Sequence, residues 1–240
     1  MAAAHPVARA AFAEADAALG ESLSRVIFEG PAEALTLTEN TQPAILATSV
    51  AAWRVLAGLG VSPAFMAGHS LGEYSAHVAN LNGAGQIVIA GTTAAVRRAG
   101  ERAKALGARR VIPLNVSAPF HCALMRPAQE RLAPELRSVG TRDPRVPVVA
   151  NVDARPRTTA SASIEALVEQ VSSPVRWEDT VRRLVGSGVT TFIEVGPGTV
   201  LSGLVRKIAR DVVTLSVQEP DDLAAVEQAL ASAPAVEGGH

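Results

Sequence analysis

Short runs rich in β-branched and apolar residues recur along the chain, separated for the most part by stretches of helical periodicity, and this alternation restricts the fold more than any other feature. The runs cover Gln86 to Ala90, Arg110 to Leu114, Val146 to Ala150, Thr191 to Val195 and Val212 to Ser216. β-Branched residues fit a pleated surface, and each run has the length of a strand. Helical patterns cover Ala8 to Leu19, Thr93 to Leu106, Leu124 to Val139, Ser163 to Val171, Glu178 to Val185, Leu201 to Ala209 and Asp221 to Ala233. A further helix is expected after Thr41, with Pro43 in its first turn and Ile45, Leu46, Val50, Trp53 and Leu56 at helical spacing until Gly58 and Gly60. Pro31 to Thr38, Arg142 to Arg145 and Asp153 to Thr159 read as loops. Strands alternating with helices predict an α/β fold with a largely parallel sheet. Apolar residues make up 48% of the chain but aromatics only 3%, so its core must be built from Ala, Val, Leu and Ile.

Charge and cysteine usage narrow the function classes. With 22 basic and 23 acidic side chains, and no basic stripe interleaved with aromatics, the chain lacks the electrostatic footprint of a nucleic-acid binder. A single cysteine, Cys122, cannot close an internal disulfide, and no Cys/His cluster accompanies it, so no metal site is expected. A reducing cytoplasm fits this usage. Arg9, Glu14 and Asp16 interrupt the Ala-rich start before any stretch reaches spanning length, so neither a signal peptide nor a membrane helix is expected.

The sharpest local motif is Gly68-His69-Ser70-Leu71-Gly72. It follows the short apolar run Ala64-Phe65-Met66-Ala67, read as a buried strand, and precedes a helix. A G-x-S-x-G turn between strand and helix holds the serine hydroxyl at the strand end and aims the amides of the first helical turn at any oxyanion formed there. Alone, the pentapeptide also fits a glycine-flanked turn whose serine caps the helix. A serine hydroxyl needs an adjacent base, and His121, in Ser117-Ala118-Pro119-Phe120-His121-Cys122, is the best candidate among the five histidines. Glu194-Val195-Gly196-Pro197-Gly198 forms a third glycine-rich turn between strand and helix, without the Gly-Lys-Ser/Thr ending of a phosphate loop.

Taken together, Gly68 to Ala76, Asn80 to Gly91, Ser117 to Pro127, Asn151-Val152-Asp153, Pro174-Val175-Arg176-Trp177 and Glu194 to Leu201 resemble, in order, the malonyl-CoA:acyl carrier protein transacylase family. The resemblance implies an α/β-hydrolase-like parallel sheet with flanking helices over residues 1–79 and 118–240, plus a truncated ferredoxin-like subdomain over residues 80–117. It also implies a ping-pong transfer. Ser70 takes malonyl from coenzyme A as an ester, and the phosphopantetheine thiol of acyl carrier protein removes it, with His121 acting in both halves. By the same resemblance the main-chain carbonyl of Gln170 orients His121, the Leu71 amide supplies an oxyanion contact, and His69, Asn80, Asn82 and Phe120 contribute to substrate binding. No permanently bound cofactor is implied, and a monomer is expected. Arg206, Lys207 and Arg210 are candidates for contact with the acidic carrier protein.

Two family features are missing from the sequence. The chain starts at the helix that follows the family's Gly-Gln-Gly-Ser-Gln loop, source of a second oxyanion contact. The helix after Ser70 also reaches Asn80 without the insert that carries the family's carboxylate-binding arginine; Arg9, Arg97 and Arg126 are candidate substitutes. Two other readings therefore stand beside the first: a serine hydrolase or thioesterase, and an inactive remnant that binds carrier protein. The hydrolase reading expects an acid between serine and histidine in chain order, whereas Asp143, Asp153 and Asp179 all follow His121.

Overall fold

The structure is a computed structural model that describes residues 1–76, 87–114 and 118–232. In chain order the helices are α1 (Pro6–Leu19), α2 (Leu23–Glu29), α3 (Ala32–Leu35), α4 (Thr38–Gly58), α5 (Leu71–Ala76), α6 (Thr93–Ala105), α7 (Arg126–Ser138), α8 (Ala160–Gln170), α9 (Trp177–Gly186), α10 (Val200–Ile208) and α11 (Leu223–Ser232). The strands are β1 (Val148–Val149), β2 (Pro156–Arg157), β3 (Thr191–Val195) and β4 (Val213–Val217). The chain divides into two compact units, residues 1–62 with 185–240, and residues 63–184.

The first unit is organised by small side chains. Ala8, Ala11, Phe12, Ala47, Ala51, Val55 and Leu56 are buried in one cluster with Val217, Leu223 and Val226. Alanines at the α1 and α4 contact let the two backbones approach closely, and the phenyl rings of Phe12 and Phe28 meet edge to face at 4.9 Å. α4 begins at Thr38, three residues before the expected cap, so Pro43 lies inside the helix. α3 lies within Pro31 to Thr38, expected to be a loop, and α2 in a stretch for which no element was expected; the Asp16 carboxylate accepts the backbone N–H of Ser24 at 2.8 Å and its hydroxyl at 2.5 Å, fixing the start of α2. β3 and β4 pair in parallel from Thr191↔Val213 to Val195↔Val217, joined through α10 as the alternation predicts. The Glu194 carboxylate receives the N–H groups of Leu201 and Ser202 at 3.0 and 2.7 Å, anchoring the start of α10 to the end of β3. Gly196, at φ 123°, closes this turn against Ser49, whose Oγ would lie 2.4 Å from a β-carbon placed there.

The second unit carries the serine turn. Met66 forms a parallel bridge to Val148, with Met66 N–H donating to Pro147 at 3.0 Å and Val149 N–H donating to Met66 at 2.9 Å. β1, in a run expected to be a strand, turns back through Asn151 to Ala154 onto β2 as an antiparallel pair, and β2 lies in the stretch Asp153 to Thr159 expected to be a loop. α7 and α8 pack through Ala133, Ile164 and Val168, with Arg137 and Glu165 forming a forked pair at 2.8 Å on the surface.

Parallel pairing is found in each unit: β3 with β4 in the first, and the bridge between Met66 and Val148 in the second. Residues 87–90 and 111–114 form no strand, and Ile87, Val88, Ile89, Ile112 and Leu114 are exposed. A β-branched run becomes a strand only where a neighbour receives its N–H and C=O groups, a condition that local sequence does not contain.

Candidate active site

Ser70 sits at the junction of the Met66 strand segment and α5, at φ 57°. For a non-glycine residue this conformation costs on the order of 1–3 kcal/mol and persists only when its surroundings fix it. Those surroundings are visible. Gly72 N–H donates to the His69 carbonyl at 2.8 Å and Glu73 N–H to the Ser70 carbonyl at 2.9 Å, winding the chain directly into α5. Leu71 opens α5, so its N–H belongs to the first helical turn, where the helix offers no carbonyl partner.

His121 lies 51 residues further along the chain, and its Nε2 is 2.5 Å from Ser70 Oγ. Its Nδ1 is 3.0 Å from the main-chain carbonyl of Gln170. A carbonyl can only accept, so Nδ1 carries the proton and Nε2 presents its lone pair to the serine hydroxyl. The orienting group is therefore uncharged. Burial pushes the His121 pKa down from its ordinary value, against the opposing pull of the Gln170 and Ser173 backbone. The neutral, proton-accepting imidazole is thereby favoured. His121 also adopts a positive φ of 62°.

Gln170, at the end of α8, is 1% exposed and holds both partners. While its carbonyl receives His121, its side-chain Nε2 donates to the Ser70 carbonyl at 3.1 Å. His69, beside the serine, is driven down to about pKa 3 by burial and by the neighbouring His121, so its ring stays neutral near pH 7. Phe120 is half-buried next to His121. Asn80 and Asn82 lie outside the described residues.

Two further residues join this arrangement that motif reading did not assign to it. Asn151 directs its amide into the serine turn, accepting Ser70 N–H at 3.2 Å and donating to the Gly68 carbonyl at 2.8 Å. Glu73, 1% exposed, receives Asn151 N–H at 3.0 Å. Both lie in family-like segments, but their partners are distant in sequence, and only their polarity beside apolar runs hinted at a buried role.

The three aspartates considered as triad acids are engaged elsewhere. Asp143 receives Ala160 N–H, Asp153 faces Arg157 and Arg155, and Asp179 lies near Arg176. Arg9 donates to the carbonyls of Ala2 and Ala3, and Arg97 and Arg126 are exposed. Among the described residues, no group of three or more His, Cys, Asp or Glu side chains is placed to hold a metal ion.

A serine whose hydroxyl meets a carbonyl-oriented histidine is the arrangement that the family resemblance implies. Residues 1–81 and 77–224 match the acyl transferase domain family. The chain is 41% identical over 284 residues to the malonyl CoA-acyl carrier protein transacylase of Bacillus subtilis (strain 168), an alignment covering 94% of this chain and 90% of that protein. The chain belongs to the malonyl-CoA:acyl carrier protein transacylase family. The transacylase of Escherichia coli (strain K12) is 39% identical, with 94% of this chain and 92% of that protein covered. Among solved transacylases, the acyl-carrier-protein S-malonyltransferase of Bartonella henselae matches with a TM-score of 0.88 at 36% identity, over 95% of this chain and 92% of that one. A malonyl-transacylase in complex with its type II PKS acyl-carrier protein matches with a TM-score of 0.87 at 36% identity, over 95% and 93% of the two chains. The acyl transferase domain match falls into two stretches that overlap at residues 77–81. The alignment of 284 positions also exceeds the 240 residues of this chain.

Proposed function

We propose that this chain transfers a malonyl group from coenzyme A to the phosphopantetheine thiol of an acyl carrier protein, in fatty acid or polyketide synthesis, through an ester on Ser70. The observation that carries the reading is the 2.5 Å approach of Ser70 Oγ to His121 Nε2, with Nδ1 committed to the Gln170 carbonyl. As Oγ attacks the thioester carbonyl, its proton passes to Nε2. The resulting imidazolium keeps its Nδ1–H on the Gln170 carbonyl. Collapse of the tetrahedral intermediate breaks the C–S bond, and the proton leaves with coenzyme A. In the second half His121 takes the proton of the carrier thiol, the thiolate attacks the ester, and Ser70 recovers its proton. General acid–base assistance of this kind contributes about 10²–10⁴-fold. Leu71 N–H is one oxyanion donor, and such a donor lowers the barrier by about 3 kcal/mol.

His69, Asn80, Asn82 and Phe120 line the acyl site in this reading, which gives the chain two parts: residues 1–79 and 118–240 as a hydrolase-like sheet with flanking helices, and residues 80–117 as a reduced ferredoxin-like subdomain. It acts as a cytoplasmic monomer without a bound cofactor. Lys207 and Arg210, exposed at and beyond the end of α10, meet the acidic carrier protein together with Arg206. A hydrolase triad is disfavoured because the partner of His121 Nδ1 is a carbonyl rather than a carboxylate.

Incubation with malonyl-CoA should give one hydroxylamine-sensitive malonyl adduct on Ser70, discharged by holo-carrier protein. Ser70→Ala should form none. Discharge to water at the same rate with and without carrier would replace the transferase reading with a thioesterase.

A further inference from the structure

We propose that Asn151 and Glu73 form a buried clamp that holds the nucleophile turn in its reactive conformation, making both positioning residues for the acyl transfer proposed above, on which this inference rests. The Asn151 amide spans the turn. Its Oδ1 accepts the N–H of Ser70 at 3.2 Å while its Nδ2 donates to the carbonyl of Gly68 at 2.8 Å. One planar amide therefore fixes the backbone on both sides of His69. A carboxylate of the same shape lacks the donor that Gly68 needs, and an aliphatic side chain lacks both groups.

The clamp is itself held. Asn151 N–H donates to Glu73 Oε2 at 3.0 Å, and its carbonyl receives Arg176 N–H at 3.1 Å. Glu73 stands three residues after the nucleophile on α5, and its own N–H donates to the Ser70 carbonyl at 2.9 Å. Ser70, Glu73 and Asn151 thus close a ring of contacts around the turn, with Glu73 and Asn151 each 1% exposed. Water cannot readily replace a missing partner at that depth, so loss of one contact leaves a buried group unpaired. The ring has a chemical consequence. Ser70 N–H is occupied by Asn151 and turned away from oxyanion duty, so that duty passes to the following amide. Gln170 Nε2 holds the Ser70 carbonyl, so the backbone of the nucleophile is held at both its N–H and its C=O.

Burial pushes the Glu73 carboxyl up to about 7, with Asn151 N–H and Arg157 pulling it back and Asp153 adding to the rise. Either protonation state retains an acceptor oxygen for Asn151. Glutamine retains one too, and this supplies the discriminating variant.

The experiment is single-turnover acylation of Ser70 by malonyl-CoA, with KM measured beside it and the rate of labelling by a fluorophosphonate as a second readout. Misplacement of a reacting group by about 1 Å costs on the order of a hundredfold. Asn151→Leu and Glu73→Leu are expected to slow acylation and labelling by about that factor with KM little changed. Asn151→Asp should fall between them and wild type, and Glu73→Gln should restore nearly the full rate. If the leucine variants fail to fold, Asn151→Asp and Glu73→Gln decide alone. Wild-type rates in Asn151→Asp, a loss confined to KM, or a Glu73→Gln as slow as Glu73→Leu would each overturn the clamp. A wild type that takes the phosphonate but no malonyl breaks the transfer reading alone, leaving the clamp to be decided by the labelling rates; one that takes neither overturns both.

Discussion

At the scale of single residues, the imidazole facing Ser70 is largely buried, favoured in its neutral form and oriented by a group that cannot titrate. Burial lowers the His121 pKa below its ordinary 6.5, so the acid limb of kcat/KM should lie below pH 6.5. A limb at or above 6.5 would mean that the histidine is more solvated than its surroundings imply. Glu73 gives a second test with the opposite sign. Its carboxyl titrates near 7 in the folded chain against 4.5 ordinarily, so the folded state binds the proton more tightly between those values. Stability contributed by that proton is present below pH 4.5 and lost as pH rises through 7, by about 3 kcal/mol for a shift of this size. Glu73→Gln removes this loss, and urea titrations should show the variant gaining on wild type as pH rises from 4.5 to above 7. Parallel curves would contradict the buried carboxyl. Ser70 and His121 were legible in the sequence because motif and chemistry point to the same residues. The clamp was not: its hydrogen bonds join residues 81 and 78 positions apart, and nothing local to Asn151 or Glu73 names the partner.

At the scale of elements, legibility followed the distance to the partner. β3, α10 and β4 are consecutive, and their boundaries match the sequence expectation to within a residue or so. The runs at 87–90 and 111–114 have the same β-branched composition but no ladder partner among the described residues. α2 escaped notice because it is short and its anchor, Asp16, lies in the preceding helix. Gly196 packs tightly against Ser49. Gly196→Ala adds a β-carbon 2.4 Å from Ser49 Oγ at a backbone angle of φ 123°. The expected loss is on the order of 1–3 kcal/mol, from strain and overpacking together. Ser49→Ala in the same chain should recover part of it, and equal stability of Gly196→Ala and wild type in urea would show that this turn is looser than described.

At the scale of the whole molecule, the chain aligns along most of its length with a transacylase, over more positions than its own 240 residues. Carrier recognition is a property of the assembled surface. Lys207→Glu with Arg210→Glu should raise KM for holo-carrier protein and weaken its salt dependence, with KM for malonyl-CoA unchanged. An unaffected carrier KM would place docking elsewhere. The central claim is narrower: the imidazole of His121 takes the proton of Ser70. The most direct measurement is the single-turnover rate of malonyl ester formation in His121→Ala against wild type near pH 8, followed by intact mass. The rate should fall by about 10²–10⁴-fold while ester formation in wild type stays on Ser70. A His121→Ala variant that acylates within a few-fold of wild type would contradict the account.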